Sequence, residues 1–178
     1  MKIQYLYKYN AHIGTLTITS DGEHIIGLWL NDIDLKESTE IKEVGPTEIA
    51  VFKEAKSWLD LYFDGKVPGF MPPILTNGTA FRQSVWKILC EIPYGEVITY
   101  GDIAKKIALQ LGKQRMSAQA VGGAVGSNPI SILIPCHRVV GASGNLTGYV
   151  GGLDKKARLL ELEGLDMNRF FIPNSPKR

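Results

Sequence analysis

The stretch Ile132–Val140, ILIPCHRVV, runs an apolar segment into a proline, a cysteine and two basic side chains. A thiol attacks as its thiolate, and an ordinary cysteine, with pKa near 8.5, is only a few per cent ionised at neutral pH. Cys136 therefore needs a base, and His137 stands beside it. Consecutive residues of extended chain face opposite ways, so contact requires a turn at this point or a water between the two groups. Pro135 supplies a break by fixing its own φ and removing a donor. A base is in turn oriented by a third group. Glu163, near the end of the helical pattern LDKKARLLELEG, is the best acidic candidate; the competing reading makes it one more charge on a solvated helix face. Asp102 is occupied as a cap, and Asp154 suits the start of a helix and its dipole. The following GASGNLTGYVGG offers adaptable backbone and donors around a pocket. Cys90, beside Leu89 at the end of an amphipathic helix and with no histidine or arginine nearby, reads as core filler.

Other chemistries find little support. Two cysteines without a CxxC exclude a disulfide framework, and three histidines without ligand-like spacing predict no metal; no cofactor is expected either. The start MKIQYLYKYN lacks a long apolar run with a cleavage site, and no eighteen apolar residues follow one another, so a cytoplasmic protein without membrane contact is expected. With 178 residues, 44% of them hydrophobic, the chain can bury a core as one domain or two small ones. Residues 1–76 hold 7 Lys/Arg against 11 Asp/Glu, whereas 77–178 hold 13 against 7. A basic second half suits a polyanion, although scattered solvated lysines would give the same balance.

The elements that must position these groups divide at VPGFMPPILTNG, a linker by its prolines and glycines. Residues 1–76 read as a supporting domain, a small antiparallel sheet plus one helix. KIQYLYKY and GTLTITS alternate with period two, Asp21-Gly22 marks a tight hairpin, and HIIGLWL adds a third strand. After an acidic loop, Pro46 opens a helix with Ile49, Phe52, Leu59 and Tyr62 on one face, and Gly65 stops it. Residues 77–178 read as a mainly helical, basic domain carrying Cys136, so the fold class is α+β. One helix starts at Thr79, a second at Thr99 as N-cap with Asp102 in capping-box position, and a third at Ser117. The last two resemble a helix-turn-helix of winged-helix type. Gly122 and Gly123 inside the third helix cost about 1 kcal/mol each relative to alanine. Either close helix packing or close backbone approach to a nucleic-acid groove would justify them.

PCHRV, an upstream Asn-Pro, IPYGEVITYGDIA and a terminal LEG, in that setting and spread over roughly Thr79–Leu165, closely resemble the methylated-DNA–protein-cysteine methyltransferases, or O6-alkylguanine-DNA alkyltransferases. The resemblance implies that Cys136 takes the alkyl group from O6 of guanine in duplex DNA, irreversibly and once per molecule, after the damaged base is flipped out. It implies His137 as base through a water, Glu163 as its orienting group, and Tyr100 as hydrogen-bond donor to the guanine leaving group. Asn128 would hold the turn before the active-site strand. The carbonyls of Cys136 and Val139 and the amide of Val150 would recognise the base, with Tyr149 and Gly151 lining the pocket. Ser117, Ala118, Gln119, Ala120 and Gly122 would face the minor groove, with Arg115 and Arg138 as further DNA contacts. The partner implied is double-stranded DNA containing O6-alkylguanine, bound by a monomer with no obligate protein partner.

Gln119 departs from the arginine that relatives often carry to fill the space of the flipped base; it lacks the guanidinium charge and planar stacking. Val150 replaces a serine of some relatives. Two other function classes compete. A non-enzymatic lesion-binding protein would need no acceptor, which the presence of Cys136 opposes. A thiol hydrolase would need repeated turnover and an oxyanion hole, neither of which the sequence identifies.

Overall fold

The computed structural model describes residues 3–33, 35 and 40–173. The chain forms two compact units, Met1–Asn77 with Pro129–Leu133, and Gly78–Asn128 with Ile134–Arg178. The contiguous second domain expected from residue 77 onward is thus interrupted. Pro129–Leu133 belongs with the first unit because its backbone closes the edge of that unit's sheet: Leu28 N donates to Pro129 O at 2.9 Å and Ser131 N to Leu28 O at 3.0 Å.

In the first unit, β1 (Ile3–Ala11), β2 (Gly14–Ser20), β3 (Ile25–Trp29) and β4 (Glu40–Glu43) form one sheet in the order β3-β2-β1-β4. The expected antiparallel sheet is corrected to a mixed one, since β4 pairs parallel to β1. The segment of β4 reads as loop in the sequence because Ile41 is its single apolar residue; in the structure three of its four residues are exposed. The Asp21-Gly22 hairpin also differs: four residues, Asp21–His24, separate the strands, closed by Asp21 N on His24 O and by the Asp21 carboxylate on the amides of Glu23 and His24. Helix α1 (Ala50–Phe63) starts later than Pro46 and buries Val51, Phe52, Ala55, Trp58, Leu59 and Tyr62, packing on β1 and β3.

The second unit contains α2 (Ala80–Cys90), β5 (Ile98–Thr99), α3 (Tyr100–Gln110), α4 (Ala118–Gly126), β6 (Val139–Val140) and α5 (Leu153–Leu162). Thr79, Thr99 and Ser117 cap α2, α3 and α4, each side-chain oxygen accepting from the amide three residues on. These three helices pack on one another, with the Trp86 indole donating to Ala124 O at 2.9 Å. β5 and β6 pair in parallel, and Val140, Leu146 and Leu160 form an apolar cluster with Val97, Ala157, Leu165, Met167 and Phe170. Cys90 is exposed at the end of α2, not core filler as its neighbours suggested. Position 90 falls beyond the apolar stripe of Val85, Trp86, Ile88 and Leu89.

Candidate active site

Two local turns deliver Cys136. Pro135, at φ −79° and ψ 64°, centres a tight turn in which Cys136 N donates to Ile134 O at 2.8 Å. Cys136–Arg138 then forms a single 3-10 turn, closed by Arg138 N on Pro135 O, before β6 begins. This is the break that the juxtaposition of a cysteine and a histidine demanded. Asn128, just past α4, donates from Nδ2 to Ile134 O at 2.8 Å, tying the end of α4 to the residue that opens the cysteine turn. Upstream, Ile132 adopts φ +69°, unusual for a β-branched residue, with Leu133 N donating to Ser131 O across it. Such strain persists only where the surroundings enforce it.

Cys136 is 7% exposed and His137 is fully buried. His137 Nε2 lies 2.8 Å from Glu163 Oε1. Glu163 occupies the C-cap of α5, and its inward aim follows from how that helix ends: Gly164 at φ +85° reverses the chain, with Gly164 N on Glu161 O and Leu165 N on Leu160 O. Burial pushes the Glu163 carboxyl up, but hydrogen bonds from His137 and Arg138, with their charges, outweigh it and hold it well below the usual carboxylate range. His137 is held below its ordinary value, burial being the largest cause and Glu163 opposing it. An ionised carboxylate on Nε2 fixes the tautomer with the proton on Nε2, so Nδ1 is the nitrogen suited to accept one.

Arg138, expected at the DNA surface, is instead buried, and this is a correction. Its Nε donates to both Glu163 oxygens, at 3.1 and 2.9 Å, its Nη2 to Oε1 at 2.8 Å, and its Nη1 to Ile92 O at 2.7 Å. In the 3-10 turn the side chain after His137 points to the same acid, which extended-chain reasoning could not foresee.

Lys156 was missed by sequence reading. It is fully buried on α5 and donates from Nζ to Val139 O at 2.5 Å and Thr147 O at 3.1 Å. Burial lowers its pKa to about 8, partly offset by the charge of Cys136. A signal existed: Lys156, Leu159, Leu160 and Glu163 follow the i, i+3, i+4, i+7 spacing of one helix face. Tyr100, at the start of α3, donates from its hydroxyl to the same Thr147 O at 3.1 Å, and burial raises its pKa, with Cys136 adding to the rise. Tyr149, with the Lys156 ammonium 5.9 Å from its ring centre, and Gly151 are half-buried, while the Val150 side chain is 72% exposed.

On α4 and the turn before it, Arg115, Ser117, Ala118, Gln119, Ala120 and Gly123 are exposed, and Gly122 is half-buried. A Cβ at Gly122 would meet the Tyr100 ring at an ordinary 3.9 Å, and one at Gly123 would meet nothing within 4 Å. Packing therefore requires neither glycine. Among the described residues, no group of three or more His, Cys, Asp or Glu side chains is placed to hold a metal, and no helix is long and apolar enough to cross a membrane.

Comparison with known proteins fits this geometry. Residues 5–74 match the 6-O-methylguanine DNA methyltransferase ribonuclease-like domain, and residues 80–165 match the DNA binding domain of the same proteins. The chain is 42% identical to a methylated-DNA–protein-cysteine methyltransferase of Haemophilus influenzae over 92% of its own length and 88% of the relative's. The identity is also 42% to the protein so named from Methanosarcina acetivorans, covering 90% and 98% of the two chains. A crystal structure of Mycobacterium tuberculosis OGT in complex with DNA superposes with a TM-score of 0.77 at 38% identity, covering 93% of this chain and 94% of that one. With both halves matched in order, and with a cysteine, a histidine and a buried glutamate gathered in the second, this chain belongs to the methylated-DNA–protein-cysteine methyltransferase family.

Proposed function

We propose that this protein repairs O6-alkylguanine in double-stranded DNA by moving the alkyl group onto Cys136. The Sγ–carbon bond forms as the carbon–O6 bond breaks, the base leaves as its anion and takes up one proton to become guanine, and the thioether remains, so each molecule acts once. A stacked guanine cannot present O6 to a thiol that is 7% exposed, so the base is extruded first, at a cost of a few kcal/mol. His137 takes the thiol proton through a water, and Glu163 fixes its tautomer and ring orientation. Tyr100 turns its hydroxyl from Thr147 O to the departing base. The carbonyls of Cys136 and Val139 and the amide of Val150 read the guanine edge between Tyr149 and Gly151. Val139 O keeps a second lone pair for this while accepting from Lys156.

The exposed face of α4, from Ser117 to Gly123, enters the minor groove, with Gln119 at the place of the flipped base and Arg115 near the phosphates. The first unit supports the second. The protein works in the cytoplasm as a monomer without a cofactor. The observation that carries this reading is the buried contact, 2.8 Å long, between His137 of the turn that holds Cys136 and Glu163 at the end of α5. Its test is mass spectrometry after incubation with an O6-methylguanine duplex: one methyl on Cys136 is expected and none on a Cys136→Ala variant, whereas an unmodified Cys136 overturns the reading.

A further inference from the structure

We infer that Arg138 is a positioning residue for the proton acceptor: clamped on Glu163 and held by the Ile92–Gly95 turn, its guanidinium balances the carboxylate charge so that His137 rests as neutral imidazole. The inference rests on the proposed role of His137 as base.

The bonding pattern singles out the carboxylate. Besides His137 and the three contacts from Arg138, Glu163 Oε2 accepts from Gly95 N at 3.1 Å. The Ile-Pro-Tyr-Gly turn also supplies Ile92 O to the guanidinium and the Tyr94 ring face, 5.8 Å from Arg138 Cζ. Tyr94 itself is tied to α5 through its hydroxyl on Leu162 O at 3.2 Å. Gly95 has φ +78°, and a Cβ there would come within 3.1 Å of Glu163 O, so the close approach requires glycine. One short turn thus touches both partners of the ion pair.

Helix stability does not account for this arrangement. Glu163 is the C-cap of α5, at the negative end of the helix dipole, where a carboxylate is unfavourable. A lone buried carboxylate touching His137 would favour the imidazolium, and an imidazolium cannot take a proton from a thiol. With Arg138 in place, the carboxylate and guanidinium sum to zero. Protonating His137 would then add an uncompensated charge to a site that already holds the Lys156 ammonium. The charged and titratable groups around the imidazole are Glu163 and Lys156 from α5, Arg138 and Cys136 from its own turn, and Tyr94 beyond Arg138; Tyr100 of α3 adjoins Cys136. Burial, Arg138 and Lys156 all oppose the charged imidazole, and Glu163 alone favours it.

The test is an NMR titration of the His137 ring in the intact protein, followed in Arg138→Lys and Arg138→Met. In the unaltered protein the midpoint is expected below the ordinary value of about 6.5; one above 7 overturns the inference. Arg138→Met should raise the midpoint by about one unit or more, as an unbalanced opposite charge does. The acid limb of the pH–rate profile with free O6-benzylguanine should move with it, whereas a purely structural loss would lower the rate at every pH. Arg138→Lys, which keeps the charge, should stay near the unaltered midpoint. An unmoved midpoint in Arg138→Met, or a lysine variant that titrates like an uncharged one, overturns the inference. Should the methionine variant not fold, the unaltered protein and the lysine variant decide it. The ring titration reads charge without alkyl transfer, so a neutral His137 in a protein that forms no adduct would count against the repair reading and leave the charge balance standing.

Discussion

Gly123→Ala separates what α4 needs for folding from what it needs for DNA. In the middle of a nine-residue helix a glycine is less favourable than alanine by about 1 kcal/mol. The added methyl would meet nothing within 4 Å at this exposed position, so no packing loss offsets the gain. The variant should therefore be more stable, with Tm higher by about 2–4 °C for a chain of this size. If the face carrying Ala118, Gln119, Ala120 and Gly123 lies against a groove, the same methyl holds the backbone away from the duplex. Alkyl transfer to duplex substrate should then slow by about tenfold, the equivalent of 1.4 kcal/mol, while transfer to free O6-benzylguanine stays unchanged. Thermal unfolding and the two rate measurements decide it. A lower Tm would show that packing had been misjudged, and equal slowing on both substrates would remove α4 from the DNA-binding face. Gly27→Ala is the control of opposite sign, because a Cβ there would lie 1.9 Å from the Trp29 ring and 2.6 Å from Thr19 Oγ1.

Asn128→Ala removes the bond to Ile134 O, whose carbonyl still accepts from Cys136 N, so stability should fall by only about 1 kcal/mol while alkyl transfer falls by tenfold or more; equal losses measured by denaturation and single-turnover kinetics would refute a placing role. Lys156, at about 8 when folded against 10.5 for the free side chain, gives up its proton in the folded state first. The unfolded chain then binds more protons between those values, so unfolding free energy should rise across pH 8 to 10.5, by roughly 3 kcal/mol at most, and this rise should be missing in Lys156→Met. Denaturant titrations at several pH values that gave both proteins the same slope would refute it. Gln119→Arg should speed reaction with duplex substrate and leave the free base unaffected; equal acceleration of both would assign the residue to the chemistry.

The local code was legible where a short stretch decides the outcome. Thr79, Thr99 and Ser117 were readable as helix starts because an N-cap needs one oxygen and one amide three residues away. Cys136 with His137 was readable because a thiol next to an imidazole has few structural uses. What escaped depends on partners distant in sequence. β4 holds one apolar residue, and its strand character comes from the edge of β1. Pro129–Leu133 joins the first unit through bonds to Leu28, a hundred residues earlier in the chain. Arg138 was expected at the DNA through the resemblance of its motif, and only the turn at Cys136 sends it to Glu163. Lys156 was hidden by its charge, although the periodicity of α5 places it on the buried face.

His137, Arg138, Lys156 and Glu163 are all buried in one unit, and stability alone does not explain them. Well-packed apolar residues in place of a buried ionic set often leave a protein as stable or more so, whereas loss of one partner costs about 3–5 kcal/mol. On the proposed function, what such a set contributes is its geometry. Here every member meets the short segment from Cys136 to Val139 or the acid that orients it: Glu163 holds His137, Arg138 holds Glu163, and Lys156 holds Val139 O. In the proposed reaction the sulfur of Cys136, 7% exposed among fixed charges, is reached only by a base brought to it. On the proposed reaction, that same burial shields the thiol of Cys136 from electrophiles other than an extruded base.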